Sequence, residues 1–184
     1  CGAGGGAGYC WEGDASVWTR CTFDQNVADA GGALYVETAV PTIVDCSFGG
    51  NTAQNGGALF IDQQSDPRIR DSRFHDNTAT PNAGGAADVW ASTPEFHDCT
   101  FTGNSANGRG GALSFNGASD ALVRGCTFAS NTAGSARGAM RLAWTATVHV
   151  ESSTILESGG GAIRVQDWST LLVSRSIIAF SASG

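Results

Sequence analysis

Two histidines, three arginines and several aspartates of this 184-residue chain recur at matching intervals, a spacing that would bring them to one outward face. Arg70, His97 and Arg124 share one position of the interval, continued by Thr19, Val44 and Glu151. Arg73, His75 and Asp76 lie beside it, and Asp71 and Asp98 follow Arg70 and His97 directly. A polysaccharide lyase would need acidic Ca2+ ligands with an Arg or Lys base, and a hydrolase would need carboxylates on both sides of the scissile bond. Arg70, His97, Arg124, Asp71 and Asp98 are therefore the candidate catalytic residues. A plainer account competes with that one. Asp45, Asp71 and Asp98 share their position with Gly125, and all four are types that tolerate positive φ in a bend. Arg68 beside Glu95 reads as a surface ion pair. The leading expectation is a chain that is not an enzyme, with a polysaccharide lyase or hydrolase as the alternative.

Aromatic residues offer a different chemistry. Tyr35 and Phe60 should stack on an outward column, and Trp90, Trp144 and Trp168 fall in or near loops where sugar rings could rest on them. These five are the candidate glycan-binding residues, against the alternative that loop tryptophans fold back as corner packing. No Asn-x-Ser/Thr sequon, zinc-ligand spacing, phosphate-binding loop or nucleophile motif occurs. No cofactor is expected, and Ca2+ at the acidic bend is the one ion the residues would suit.

The six cysteines do not read as a disulfide framework. Cys21, Cys46, Cys99 and Cys126 occupy one repeat position, with Ser72 between the two pairs. Side chains stacked in register point in parallel about 4.8 Å apart, wider than the roughly 3.5–4.5 Å between the Cβ atoms of a disulfide. A ladder of buried thiols acting as small apolar residues is expected instead. Cys10 falls in the inward column with Val36, and Cys1 has no assigned place.

These residues are positioned by a repeat. Cys21-Thr22-Phe23 with Asn26 returns as Cys46-Ser47-Phe48 with Asn51, Ser72-Arg73-Phe74 with Asn77, Cys99-Thr100-Phe101 with Asn104, and Cys126-Thr127-Phe128 with Asn131, in steps of 25, 26, 27 and 27 residues. Two worn copies follow at Ser153 and Ser176. Gly31-Gly32-Ala33 returns at Gly56, Gly84, Gly110 and Gly160, with Gly5-Gly6-Ala7 before it and Arg137-Gly138-Ala139 as an imperfect copy. After each Ala, apolar positions such as Leu34 and Val36 flank a mixed one such as Tyr35, the alternation of a strand with one buried face. A further apolar column runs Trp18, Ile43, Ile69, Phe96, Val123, Val150, Val173.

Self-similarity at this period, three short strands per repeat and no helical periodicity predict an all-β parallel β-helix. It has about seven coils of 23–27 residues, and residues 1–184 form one solenoid. Asn26, Asn51, Asn77, Asn104 and Asn131 should form an asparagine ladder at a bend, because a buried amide must be satisfied.

The pairing of Phe-x-x-Asn with Gly-Gly-Ala resembles the repeats of chlamydial polymorphic outer-membrane proteins, and it is similar to bacterial right-handed parallel β-helix repeat proteins of the cell surface. The resemblance covers nearly the whole chain. It implies a right-handed coil and an extracellular or surface-displayed rod such as an adhesin, autotransporter passenger or stalk. It carries over no catalytic residues, since the shared positions are architectural.

Composition restricts the partners. The net charge is −7 and all ten cations are arginines, which argues against nucleic acid and anionic membranes. No transmembrane run or secretory signal is present in the sequence. The repeat register begins partway through one coil and stops partway through another, at Ser183-Gly184. The expected partner is therefore either the remainder of a longer chain or a second copy stacked end to end. In a filament of such copies Gly184 of one subunit would meet Cys1 of the next. A glycan is the other partner considered.

Overall fold

The computed structural model describes residues 6–134, 138–158 and 161–181. Every strand pairs in parallel with its counterparts one coil before and one coil after, in the register that the repeat dictates. One coil illustrates the plan. Leu34–Glu37 belongs to a first sheet, Thr42–Val44 to a second, Ser47–Gly49 to a third and Thr52–Ala53 to a short fourth. The first three sheets have seven strands each and the fourth has four. The fourth is an addition to the expected three strands per coil. It is built from the residues directly after the Asn ladder, Thr52–Ala53, Thr78–Ala79, Ser105–Ala106 and Thr132–Ala133. Cys1, Gly5, Arg137, Gly160, Ser183 and Gly184 lie outside the described residues.

The inward columns fill the interior as the alternation requires. Phe48, Phe74, Phe101 and Phe128 are fully buried, and their rings lie face to face at 4.6–5.0 Å. Aromatic pairs usually offset or tilt; here the strand spacing of about 4.8 Å fixes the stack. Phe96 from the second sheet packs edge-on against both Phe74 and Phe101.

Bends between the second and third sheets use left-handed backbone. The column Arg20, Asp45, Asp71, Asp98, Gly125, Ser152, Arg175 has φ between 48° and 66° throughout. The expectation for the aspartates therefore holds, and two arginines and a serine adopt the same conformation.

Directly after each bend, Cys and Ser prove interchangeable because both make the same bonds. Ser72 Oγ–H donates to the Arg70 carbonyl at 2.7 Å and accepts the Cys46 N–H at 3.1 Å. Cys99 and Cys126 donate likewise to the His97 and Arg124 carbonyls. Cys10, Cys21, Cys46, Cys99 and Cys126 are all free thiols. Burial raises the pKa of Cys46; at Cys99 the neighbouring Cys126 thiol and then burial do so. A second hydroxyl ladder, Ser65–Ser92–Ser119, joins coils at another corner; nothing in the reading of the repeat singled it out.

The asparagine ladder is continuous. Asn26, Asn51, Asn77 and Asn104 each donate through Nδ2 to the Oδ1 of the next Asn, at 2.9–3.0 Å. From Asn51 onward Nδ2 also donates to the carbonyl of a Phe in the preceding coil. Asn104→Ala would leave the Phe74 carbonyl, the Asn77 N–H and one Asn77 amide proton without partners inside the rod. At about 1–3 kcal/mol for each unsatisfied group, a loss of about 3–5 kcal/mol is expected. Urea unfolding of the variant would then show a clearly lowered midpoint, whereas an unchanged midpoint would mean the ladder adds nothing net.

Candidate functional site

The outward column of the first sheet reads Tyr9, Tyr35, Phe60, Asp88, Ser114, Arg141, Arg164. Its first part matches the expectation of stacked aromatics: Tyr9 meets Tyr35 and Tyr35 meets Phe60, each at 5.1 Å between centroids and tilted. Its middle differs from what outward alternation implies. Asp88, Ser114 and Arg141 point away from the core, yet they are 1%, 0% and 2% exposed.

The loops at 80–83 and 107–109, which follow the short fourth strands, line one pocket with Asp88, Asn116 and Arg141. The Gly108 N–H donates to the Asn82 carbonyl at 2.8 Å and ties the two loops together. Between loops and sheet lies a pocket of about 470 Å³. Its walls include Asn55, Pro81, Asn82, Ala83, Gly108 and Arg109, and its floor Asp88, Trp90, Asn116, Arg141 and Trp144. Strands Ala87–Trp90, Leu113–Asn116 and Met140–Leu142 carry most of that floor. Trp144 sits just beyond the last of them, in a left-handed turn with φ 54°.

The floor is a connected polar network. Asn116 Nδ2 donates to Asp88 Oδ1 at 2.7 Å and to Ser114 Oγ at 3.0 Å, and Trp90 Nε1 donates to Asp88 Oδ2 at 3.2 Å. Arg141 Nη1 donates to Asn116 Oδ1, while its Nε and Nη2 have no acceptor among the described residues. Burial pushes the Asp88 carboxyl up to about 7, against the opposing pull of its hydrogen bonds and of Arg141. Burial, and then the nearby Arg109, push the Arg141 guanidinium down from its ordinary value. The two tryptophans form the aromatic edge of the pocket. Their rings are 5.1 Å apart at 50°, and the Arg141 guanidinium lies 5.4 Å from the Trp144 ring centroid.

Other residues singled out by the sequence lie elsewhere. The register places Val44, Arg70, His97, Arg124 and Glu151 in one column of the second sheet, with Asp71 and Asp98 exposed at the adjoining bend. Neighbouring side chains pair along this face. His97 meets Glu95 at 3.3 Å, Arg68 meets Glu95 at 3.7 Å, and Arg124 meets Glu151 at 2.8 Å. Among the described residues no group of three or more His, Cys, Asp or Glu converges as metal ligands. Arg70, His97, Arg124, Asp71 and Asp98 are absent from the lining of the pocket. Of the candidate glycan-binding residues, Trp90 and Trp144 line it, Tyr35 and Phe60 stand in the same column two and one coils before Asp88, and Trp168 is 94% exposed.

Asp88, Asn116 and Arg141 escaped the sequence reading as site residues. Two signals were present. The mixed column changes from aromatic to charged at Asp88, and the distance from the ladder Asn to the Gly-Gly pair lengthens. It is five residues from Asn26 and from Asn51, seven from Asn77 and six from Asn104. The added residues fall in the loops at 80–83 and 107–109.

Compared with known proteins, residues 3–110 match the family described as right handed beta helix region. Comparison with curated proteins and with solved structures gives no match.

Proposed function

For a chain that belongs to the right-handed β-helix family, we propose a non-enzymatic role as an extracellular or cell-surface rod that binds glycan at the Trp90–Trp144 pocket. The observation that carries this reading is the placement of two adjoining indoles beside a buried Asp88–Asn116–Arg141 network. Carbohydrates present apolar ring faces together with hydroxyl groups, and a concave site with aromatic walls and a few fixed polar groups suits both. The pocket contributes one carboxylate, Asp88, among its described lining residues, where a glycosidase needs a pair. This favours binding over hydrolysis. The surface setting, including an adhesin or passenger role like that of the chlamydial repeats, draws support from the Phe-x-x-Asn and Gly-Gly-Ala resemblance.

A second component of the proposal concerns stacking. Val173 and Ile178 continue columns that are buried in earlier coils, yet they are 45% and 39% exposed. A further coil laid over them, whether from the same polypeptide or from a second copy, would cover both.

Calorimetric titration against a panel of oligosaccharides tests the glycan reading. Saturable binding is expected, weakened at least about tenfold by Trp144→Ala, as loss of a stacking partner implies. Because Trp144 is 46% exposed, the variant should fold normally. New reducing ends or unsaturated products released by the wild-type chain would contradict the non-enzymatic role, and silence across the panel would contradict glycan binding.

A further inference from the structure

The unpartnered edge of Arg141 narrows the class of ligand. This inference rests on the glycan reading above and adds to it. Arg141 is 2% exposed; one terminal nitrogen is held by Asn116, and Nε and Nη2 are left without an acceptor among the described residues. Burying charged donors without acceptors is costly, so a group that satisfies them gains correspondingly. Nε and Nη2 together form the side edge of the guanidinium, two parallel N–H bonds whose spacing matches the two oxygens of a carboxylate.

The charge around that edge has the same bias. Arg109 lines the pocket with Arg141, and Arg164 follows Arg141 in the outward column, with Asp167 the opposing carboxylate beyond the pocket lining. The one lining carboxylate, Asp88, already accepts hydrogen bonds from Trp90 and Asn116, and burial favours its protonated form up to about pH 7. A cationic recess thus stands in a chain of net charge −7. Electrostatic complementarity then selects an anion at this spot.

We infer that the pocket takes an acidic sugar, with its carboxylate on the Nε–Nη2 edge of Arg141 and its ring against the Trp90–Trp144 pair. The guanidinium edge has no open surface in the present conformation, so entry requires a side chain to move. Trp144, whose ring centroid lies 5.4 Å from the guanidinium and which is 46% exposed, is one pocket-lining side chain with solvent to move into.

The test compares ligands that differ only in the carboxylate. Trisaccharides of galacturonate and of glucuronate are titrated into the wild-type chain beside the corresponding trisaccharides of galactose and glucose, with sodium acetate as the bare anion. The uronates are expected to bind at least about tenfold more tightly than their neutral counterparts. Arg141→Gln should abolish that preference, so that uronate and neutral sugars bind the variant alike. Equal affinity for uronate and neutral sugars, or a preference that survives in Arg141→Gln, would overturn the inference while leaving the glycan reading intact. Acetate competing as strongly as the uronates would overturn the acidic-sugar assignment, since the ring would then contribute nothing. Failure to bind any sugar would instead refute the glycan reading, and this inference with it. If Arg141→Gln does not fold, the comparison of uronate with neutral sugar in the wild-type chain decides alone.

Discussion

Gly85→Ala is expected to prevent the rod from folding, or to leave it so destabilised that cooperative unfolding is lost at room temperature. A Cβ built at Gly85 would lie 2.0 Å from the Gly111 carbonyl oxygen, 2.6 Å from the Ser105 nitrogen and 2.7 Å from the Ser105 oxygen. All three are backbone atoms of the following coil. That coil is held at its spacing by a hydrogen bond from the Gly85 N–H to the Gly110 carbonyl and by the neighbouring ladder bonds, so no rotamer change relieves the contact. The same crowding recurs at Gly32, Gly57 and Gly111, which explains why the second Gly of Gly-Gly-Ala is kept in these copies. In backbone that an alanine can adopt, Gly→Ala stabilises by about 0.4–1 kcal/mol through the unfolded chain. Here the sign reverses and the loss should exceed about 4 kcal/mol. Circular dichroism and urea unfolding of the purified variant decide the point: a wild-type midpoint would show that the coils can separate at little cost.

The second large effect is a dependence of stability on pH that is traceable to Asp88. In the folded rod burial holds this carboxyl's proton up to about pH 7, from an ordinary value of 3.8. Between those values the folded state binds more protons than the unfolded one, so stability falls as pH rises, by at most about 1.4 kcal/mol per pH unit. The decline begins near pH 4 and is complete just above pH 7, amounting to about 4 kcal/mol for this one group. Asp88→Asn cannot ionise and should remove that segment of the profile. Above pH 7 the variant is expected to be the more stable by about 1–3 kcal/mol: it avoids the cost of about 4 kcal/mol for ionising the buried carboxyl, offset in part because the new amide accepts one hydrogen bond fewer from Trp90 and Asn116. Unfolding free energies for both proteins at pH 5, 6, 7 and 8 give the comparison. Parallel profiles would mean that Asp88 titrates normally, and the buried network would then need a different charge assignment.

What the sequence determined by itself is most of what recurs once per coil, the short fourth sheet and the Ser65–Ser92–Ser119 ladder excepted. Each repeat position meets the same surroundings in every turn, so its residue type reports those surroundings several times over. The inward columns of Phe48, Phe74 and Phe101, the left-handed bend at Asp45, Asp71 and Asp98, the asparagine ladder and the column of free thiols were legible for that reason. Each expresses a local demand for burial, positive φ or a satisfied amide. The Cys99 and Ser72 exchange was legible as a position but not as a bond, because shared donation to a carbonyl two residues back appears only in three dimensions.

Tertiary structure alone decided what happens on the outer side of the first sheet. Alternation says that Asp88, Ser114 and Arg141 point outward, and it says nothing about what lies over them. Two loops lengthened by one or two residues share a pocket with Asp88 and Arg141, and the middle of this outward column is a buried network. Trp90 and Trp144 were visible as aromatics in or near loops, but their meeting at 5.1 Å depends on stacking residues 54 positions apart in sequence two coils from one another. Repetition encodes the scaffold redundantly. The pocket arises where the repetition fails, and a single departure has no second copy in the sequence from which its consequence could be read.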